Sequence, residues 1–308
     1  VPLFALVMGL AGFAMASRRA EEVLQLPFSV GPALSWLAVG AFVLISALYL
    51  LKLAVYPEEV AKEFRHPVRV NFFPAISIAL VLLSTLLYEP APALARWLWT
   101  VGAAAHFVFT LFVMNAWIHR TGIELGHVSP AWFIPVVGNV LLPLAGVRFY
   151  PPDVSWFFFS VGFVFWLVVL TIVMHRLFFH AALPERMTPT LFILVAPPAV
   201  SFLAYVALVG EVDAFARVLY YTSLFLTMLL ATNAARFLRA RFYLSAWAYS
   251  FPLAAVTIAT LVMVERAGGD VLRLIATTLL WALTLVMAAL LWRTAVAVSR
   301  GEICVEDA

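Results

Sequence analysis

Proline falls in every second apolar segment of this 308-residue chain, and that alternation constrains its fold more than any other feature. The five segments are VPLFALVMGLAG from Val1, FFPAISIALVLL from Phe72, FIPVVGNVLLPL from Phe133, VAPPAVSFLAYV from Val195 and SFPLAAVTIATL from Ser250. The apolar stretches between and after them carry no proline in their interiors. Proline inside a helix removes a backbone hydrogen bond and kinks it. In hydrocarbon that is tolerated only where neighbouring helices, side chains or water satisfy the freed carbonyl. The proline helices are therefore predicted to be inner and the others outer. With Pro2, Pro74, Pro135, Pro198 and Pro252 as markers, the spacings are 72, 61, 63 and 54 residues. That pattern reads as five copies of a hairpin with one kinked and one straight helix. Five inner helices in a ring enclose a central path, which makes a pore the leading architecture.

Only 11% of residues are charged, where soluble domains run nearer 25%, and 65% are hydrophobic. The apolar runs are long enough to span a bilayer and lack the alternation of barrel strands. The chain thus reads as an all-α membrane protein. Ten spans are predicted: Pro2–Ser17, Val30–Tyr56, Val70–Tyr88, Ala93–Ile118, Ala131–Gly146, Val154–His180, Pro189–Gly210, Phe215–Leu238, Phe242–Glu265 and Val271–Val296. The connections are short and hold most of the charge. With no soluble domain or low-complexity linker, residues 1–308 read as a single transmembrane domain. The lone cysteine, Cys304, excludes an intrachain disulfide and a cysteine metal cluster. Basic residues are dispersed among the loops, with no stripe that would suit nucleic acid. Arg18 and Arg19 follow the first apolar run, whereas a signal peptide carries its charge ahead of that run.

Loops after even-numbered spans, with the C-terminal tail, hold twelve Lys and Arg; the other loops hold seven. That bias predicts both termini in the cytoplasm. The even spans are rich in Trp, Phe and Leu, as suits a shell facing lipid or another subunit. The odd spans are richer in Ala, Gly, Ser and Thr, which let helix backbones approach closely.

The central parts of the odd spans contain no Asp, Glu, Lys, Arg or His. A mid-membrane charge costs roughly 2.5–3.5 kcal/mol on insertion scales and is kept mainly for function, as in pumps and ion-coupled carriers. An apolar pore with hydroxyls and freed backbone groups selects by dehydration cost, so weakly hydrated ions pass more easily. Amide and hydroxyl donors, with basic residues near the mouths, favour anions. Phe251 precedes Pro252 among small neighbours, where a phenyl ring can close a narrow apolar pore by blocking and dewetting it. Most of the 26 phenylalanines must face lipid or other helices. His106 lies inside the fourth span and is expected to hydrogen-bond a neighbouring helix rather than relay protons. His175 and His180 are five apart, not the three or four that suits a metal pair on one helix face. Asn115, Asn139 and Asn233 are expected to form interhelical hydrogen bonds. Asn139, on an odd span beside Gly138, is the best pore candidate of the three. The basic segment KEFRHPVRVN from Lys62 fits the positive-inside pattern, with anion attraction or lipid binding as the alternative. There is no nucleotide loop, paired carboxylate or catalytic triad in context, so an enzyme is not expected. A haem protein using His106, His175 and His180 would show itself by visible absorption.

The segments FALVMGLAG from Phe4, HPVRVNFFP from His66, PAWFIPVVGNV from Pro130, PTLFILVAPPAVSFLAY from Pro189 and AWAYSFPLAAVTIAT from Ala246 fall in all five inner helices. Through them the chain resembles the tellurite-resistance/dicarboxylate transporter family, which includes the plant guard-cell slow anion channels and their bacterial homologues. The resemblance implies ten transmembrane helices as five hairpins with quasi-fivefold symmetry around a central pore, assembled as a homotrimer. It implies conduction of small anions such as chloride and nitrate, with no cofactor or metal. It places a phenylalanine gate of the ninth helix on Phe251. Gly9, Pro74, Pro135, Asn139, Pro198, Pro252, Ala255 and Thr257 then become candidates for pore lining or kinks. Ala5 and Val7 stand where some members have glycine and proline, so the first kink is expected to be milder or displaced toward Gly9 and Gly12. The long soluble tails of the plant channels are missing, so activation by phosphorylation of such tails is not expected. The resulting expectation is an anion channel in the inner (plasma) membrane. The alternative is a secondary transporter or exporter of a dicarboxylate, sulfite or a tellurite-related anion.

Overall fold

The computed structural model describes residues 3–119, 124–239 and 241–302, without the Leu238 side chain. Pro2 and Cys304 lie outside the described residues. Those residues are helical, with no strand among them. The first hairpin is α1 (Phe4–Leu24) and α2 (Gly31–Val55), followed by a short interfacial helix, α3 (Pro57–Arg65). The second is a 3₁₀ segment (Arg69–Phe72) running into α4 (Pro74–Leu87), then α5 (Pro92–His119). The third inner helix is the most broken: 3₁₀ turns at Pro130–Trp132 and Gly138–Leu141 alternate with α6 (Phe133–Val137) and α7 (Pro143–Phe149). Its outer partner is α8 (Pro152–Phe179). A long 3₁₀ segment (Glu185–Val195) leads into α9 (Ala196–Val209), paired with α10 (Ala214–Ala231) and the short α11 (Ala234–Arg239). A last 3₁₀ segment (Leu244–Tyr249) leads into α12 (Ser250–Ala267), paired with α13 (Asp270–Ser299).

Nine helical segments among the described residues are long and apolar enough to cross a membrane. The tenth crossing element is α1, where Arg18, Arg19, Glu21 and Glu22 occupy the last two turns. It runs seven residues past the predicted end at Ser17 as one uninterrupted helix. The eighth span ends at Ala231 rather than Leu238, because the turn at Thr232 and Asn233 starts α11. The helix α3 was not foreseen.

The inner and outer assignment holds. Between 61% and 83% of residues are buried in the four odd spans that qualify, against 11% to 33% in the even ones. The α portions of the odd spans close a ring: α1 packs on α4, α4 on α7, α7 on α9, α9 on α12 and α12 on α1. Two glycines permit the last closure. A Cβ on Gly9 would stand 2.2 Å from Ser250 Oγ, and one on Gly12 would stand 2.9 Å from Ala254 Cβ.

The prolines do not kink helix interiors as predicted. Pro74 and Pro143 each open an α segment, Pro197 and Pro198 lie in the first turn of α9, and Pro252 lies in the first turn of α12. There the missing N–H costs nothing, because the first-turn donors have no intrahelical partner. Pro135 sits inside the five-residue α6. Pro74, Pro143, Pro197, Pro198 and Pro252 therefore mark where a 3₁₀ segment hands over to an α-helix. Eleven consecutive 3₁₀ residues at Glu185–Val195 is long for this geometry. Side-chain donors support the broken ladders. In the third inner helix Thr110 donates to Pro135 O (2.7 Å), Asn139 to Val136 O (2.7 Å) and Trp99 Nε1 to Leu142 O (2.8 Å). Thr110 and Trp99 are on α5, so an outer helix satisfies an inner one.

Candidate functional site

The five inner elements surround a cavity of about 90 Å³ at the level where 3₁₀ segments become α-helices. Met8 lines it from α1, Phe72 and Ile78 from the second inner helix, and Ile134, Val137 and Leu141 from the third. Ile193, Pro197 and Val200 line it from the fourth, and Trp247, Phe251 and Pro252 from the fifth. Every lining residue is apolar. The one polar lining group, the Trp247 indole N–H, points away and donates to Thr294 Oγ1 at 3.0 Å. Such a wall offers an ion no fixed charge and no strong donor.

Phe251 reaches the wall from the first turn of α12 and is 8% exposed. It lies over Gly12 of α1: a Cβ there would come within 3.2 Å of Phe251 Cδ2. The ring therefore fills space that the glycine leaves open. Pro252 shares the wall. The other predicted positions lie elsewhere. Gly9 packs α1 onto Ser250 of α12. Pro74 and Pro198 stand behind the wall at 3₁₀-to-α junctions, and Pro135 stands behind it within α6. Asn139 is fully buried and turned toward α5, where Nδ2 donates to Thr110 Oγ1 at 2.9 Å; it does not line the cavity. Ala255 is buried one turn beyond Phe251, and Thr257 is buried with its hydroxyl on Leu253 O.

His106 bonds a neighbouring helix as expected, with Nδ1 2.9 Å from Ser77 Oγ. Its ring packs behind Gly138, a wall residue. His175 and His180 lie with ring centroids 5.5 Å apart at the exposed end of α8. Asn115 is exposed on α5, and Asn233 bonds only within its own turn region. Neither joins two inner helices.

On the face where the 3₁₀ segments begin, basic groups from three connections converge on His66. Its Nδ1 accepts from the backbone N–H of Val68 and Arg69. Burial, then the charges of Arg69, His127 and Arg186, hold His66 below its ordinary value.

The voltage-dependent anion channel family (SLAC1) matches residues 1–295. The chain belongs to this family. It is 30% identical over 283 positions to the S-type anion channel SLAH2 of Arabidopsis thaliana, covering 91% of this chain and 54% of the plant protein. It is 26% identical to the uncharacterized transporter MJ0762 of Methanocaldococcus jannaschii, covering 97% and 95%. It is 27% identical to the tellurite resistance protein TehA homolog of Haemophilus influenzae, covering 82% and 77%. The chain spans about half the length of the plant relatives SLAH2 and SLAH3. None of these relatives carries the name of an enzyme. A multi-pass helical membrane protein fits the voltage-dependent anion channel family.

Proposed function

We propose that the chain is an anion channel, conducting small monovalent anions such as chloride and nitrate down the axis of the ring, with Phe251 as the gate. The observation that carries this reading is the uncharged, wholly apolar cavity that all five inner elements share and that Phe251 walls. An ion in such a lumen gains little from the protein, so the cost of shedding water decides which species enter. That favours large, weakly hydrated anions. The basic groups around His66 raise the local anion concentration at one mouth. A phenyl ring beside a narrow apolar segment blocks by bulk and by dewetting. Both termini are placed in the cytoplasm by the loop charges, in the inner (plasma) membrane, and the assembly is a homotrimer with one lumen per protomer. A coupled transporter of dicarboxylate, sulfite or a tellurite-related anion is the weaker reading, because the inner spans carry no ionisable group at mid-depth to bind a coupling proton.

The test is voltage-clamp recording of wild type and Phe251→Ala with chloride, nitrate and a large divalent anion. The proposal expects a large current in the variant that reverses at the anion equilibrium potential. An unchanged current from surface-expressed protein removes the gate. A reversal potential that follows pH instead supports the transporter.

A further inference from the structure

We infer that α11 is a binding site for anionic phospholipid headgroups, in which Arg236, Arg239 and Arg241 hold the lipid phosphate while Phe237 keys the helix into the segments that lead to Phe251. The ligand is not the permeating ion, and the inference does not rest on the gate.

The charge of this segment is unbalanced. No Asp or Glu occurs between Asp213 and Glu265, while Arg236, Arg239 and Arg241 fall within six residues. All three arginines are exposed, and none forms an ion pair among the described residues. Glu185 reaches the segment through the backbone instead: its Oε1 accepts from the Arg241 N–H at 3.3 Å. The other interfacial helix, α3, differs, because Lys62 and Arg65 are matched there by Glu58, Glu59 and Glu63.

Position and geometry select a lipid over an ion in solution. The exposed apolar residues Val218, Tyr221, Phe225 and Leu229 of α10 recur at helical spacing, a stripe that faces hydrocarbon. The stripe ends at the turn of Thr232 and Asn233 that starts α11. The arginines therefore stand where headgroups begin, with apolar stems that lie along the protein while the guanidinium stays at the phosphate level. Arg236 and Arg239 are three apart, hence neighbours on one side of the helix. Phe237 is half-buried and stands about 100° from Arg236 and about 160° from Arg239 around the axis. Adjacent guanidiniums offer paired N–H donors to phosphate oxygens, which suits a phosphodiester better than a halide.

Phe237 connects this site to the inner ring. Its ring centroid lies 5.2 Å from that of Phe192 and 5.7 Å from that of Tyr249, and those two are 4.8 Å apart. Phe192 precedes the wall residue Ile193. Tyr249 follows the wall residue Ala248 and stands two residues before Phe251. The three rings thus tie α11 to the 3₁₀ segments Glu185–Val195 and Leu244–Tyr249. Hydrogen bonds of 3₁₀ geometry are poor, so these segments gain from an outside restraint. A headgroup that fixes α11 supplies one.

The experiment uses the full chain and reads binding by native mass spectrometry, with phosphatidylglycerol or phosphatidylcholine of matched acyl chains as the probe. Wild type is expected to hold phosphatidylglycerol at least about tenfold more tightly, since each basic residue near an anionic surface adds attraction. The triple variant R236Q/R239Q/R241Q is expected to lose that preference to within about twofold, and R236K/R239K/R241K to keep most of it. Glycerol phosphate should not compete, because it lacks the acyl chains that seat a lipid beside α10. Hydrogen exchange of residues 244–251 in nanodiscs reads the coupling. It is expected to be at least about threefold slower in phosphatidylglycerol than in phosphatidylcholine, and Phe237→Ala is expected to abolish that difference while keeping the lipid preference. A wild type indifferent to headgroup charge, a glutamine variant that keeps the preference, a lysine variant that loses it, or effective competition by glycerol phosphate would overturn the site. Exchange that ignores the lipid, or a lipid effect that survives Phe237→Ala, would overturn the keying role of Phe237. Neither readout is a current, so the failure of the gate and the failure of this site are told apart.

Discussion

Gly12 makes room for the Phe251 ring at the cavity wall. Two substitutions separate the ring from its seat. Phe251→Ala removes the plug and is expected to raise the resting anion current at least about tenfold, equivalent to about 1.4 kcal/mol of bias toward the closed state. Gly12→Ala leaves the ring in place but adds a Cβ 2.9 Å from Ala254 Cβ and 3.2 Å from Phe251 Cδ2. It is expected to displace the ring and give a smaller rise, measured in the same recordings. An equal or larger effect from Gly12→Ala would mean that the glycine, not the phenyl ring, sets the constriction. At this scale the string AYSFPL singled out Phe251, a residue of the cavity wall. The sequence misled where polarity was taken as a sign of the lumen. Asn139 is polar on an inner helix, yet its amide serves Val136 O and Thr110. A broken backbone inside a membrane needs donors of its own, and a sequence does not reveal which way such a donor turns.

At the scale of elements, proline spacing identified the inner helices but not how they are built. The residue types that allow a kink also allow a 3₁₀ segment followed by a fresh α-helix start, and the structure uses the second. The distinction predicts a magnitude. A proline in a helix interior carries a penalty of about 3 kcal/mol, whereas one at a compatible site stabilises by about 0.4–1 kcal/mol through the unfolded chain. Pro252→Ala is therefore expected to lower stability by no more than about 1 kcal/mol, read from thermal unfolding in detergent. A clear gain in stability would restore the interior-kink reading. The unforeseen α3 is held to α2 by Glu63, which accepts from Lys52 Nζ (2.8 Å) and Tyr49 Oη (3.2 Å). Burial, the largest single influence, raises the Glu63 carboxyl, but the hydrogen bonds from Lys52 and Tyr49 and the nearby positive charge together outweigh it, and the net shift is downward from the ordinary 4.5. A depressed folded value means that this contribution is present above pH 4.5 and is lost as pH falls through the folded value. Glu63→Gln is expected to cost less than about 1 kcal/mol at pH 7, since the lysine is partly exposed. The difference from wild type should close as pH falls below 4.5, as pH-dependent melts would show.

For the whole molecule the decisive step is closing the ring, where the first inner helix meets the last. Two kinds of contact hold α1 to α12. Along the helices, Gly9 and Gly12 bring the backbones together against Ser250 and Ala254. At the far rim, Arg19 bonds Glu265, with side chains 29% and 41% exposed. Partly exposed ion pairs contribute roughly 0–1 kcal/mol and are screened by salt, whereas overpacking a tight contact costs about 1–3 kcal/mol. Packing should therefore dominate. Glu265→Gln is expected to change the unfolding midpoint little and leave the resting current closed. Gly9→Val has no such latitude, because its Cβ would meet Ser250 Oγ at 2.2 Å, and that hydroxyl is held by its bond to Trp247 O at 2.6 Å. Prising α1 from α12 also lifts Gly12 away from Phe251. The variant is thus expected both to melt earlier and to leak anions, and a destabilised Gly9→Val that stayed closed would show that the gate does not depend on how tightly the ring is shut.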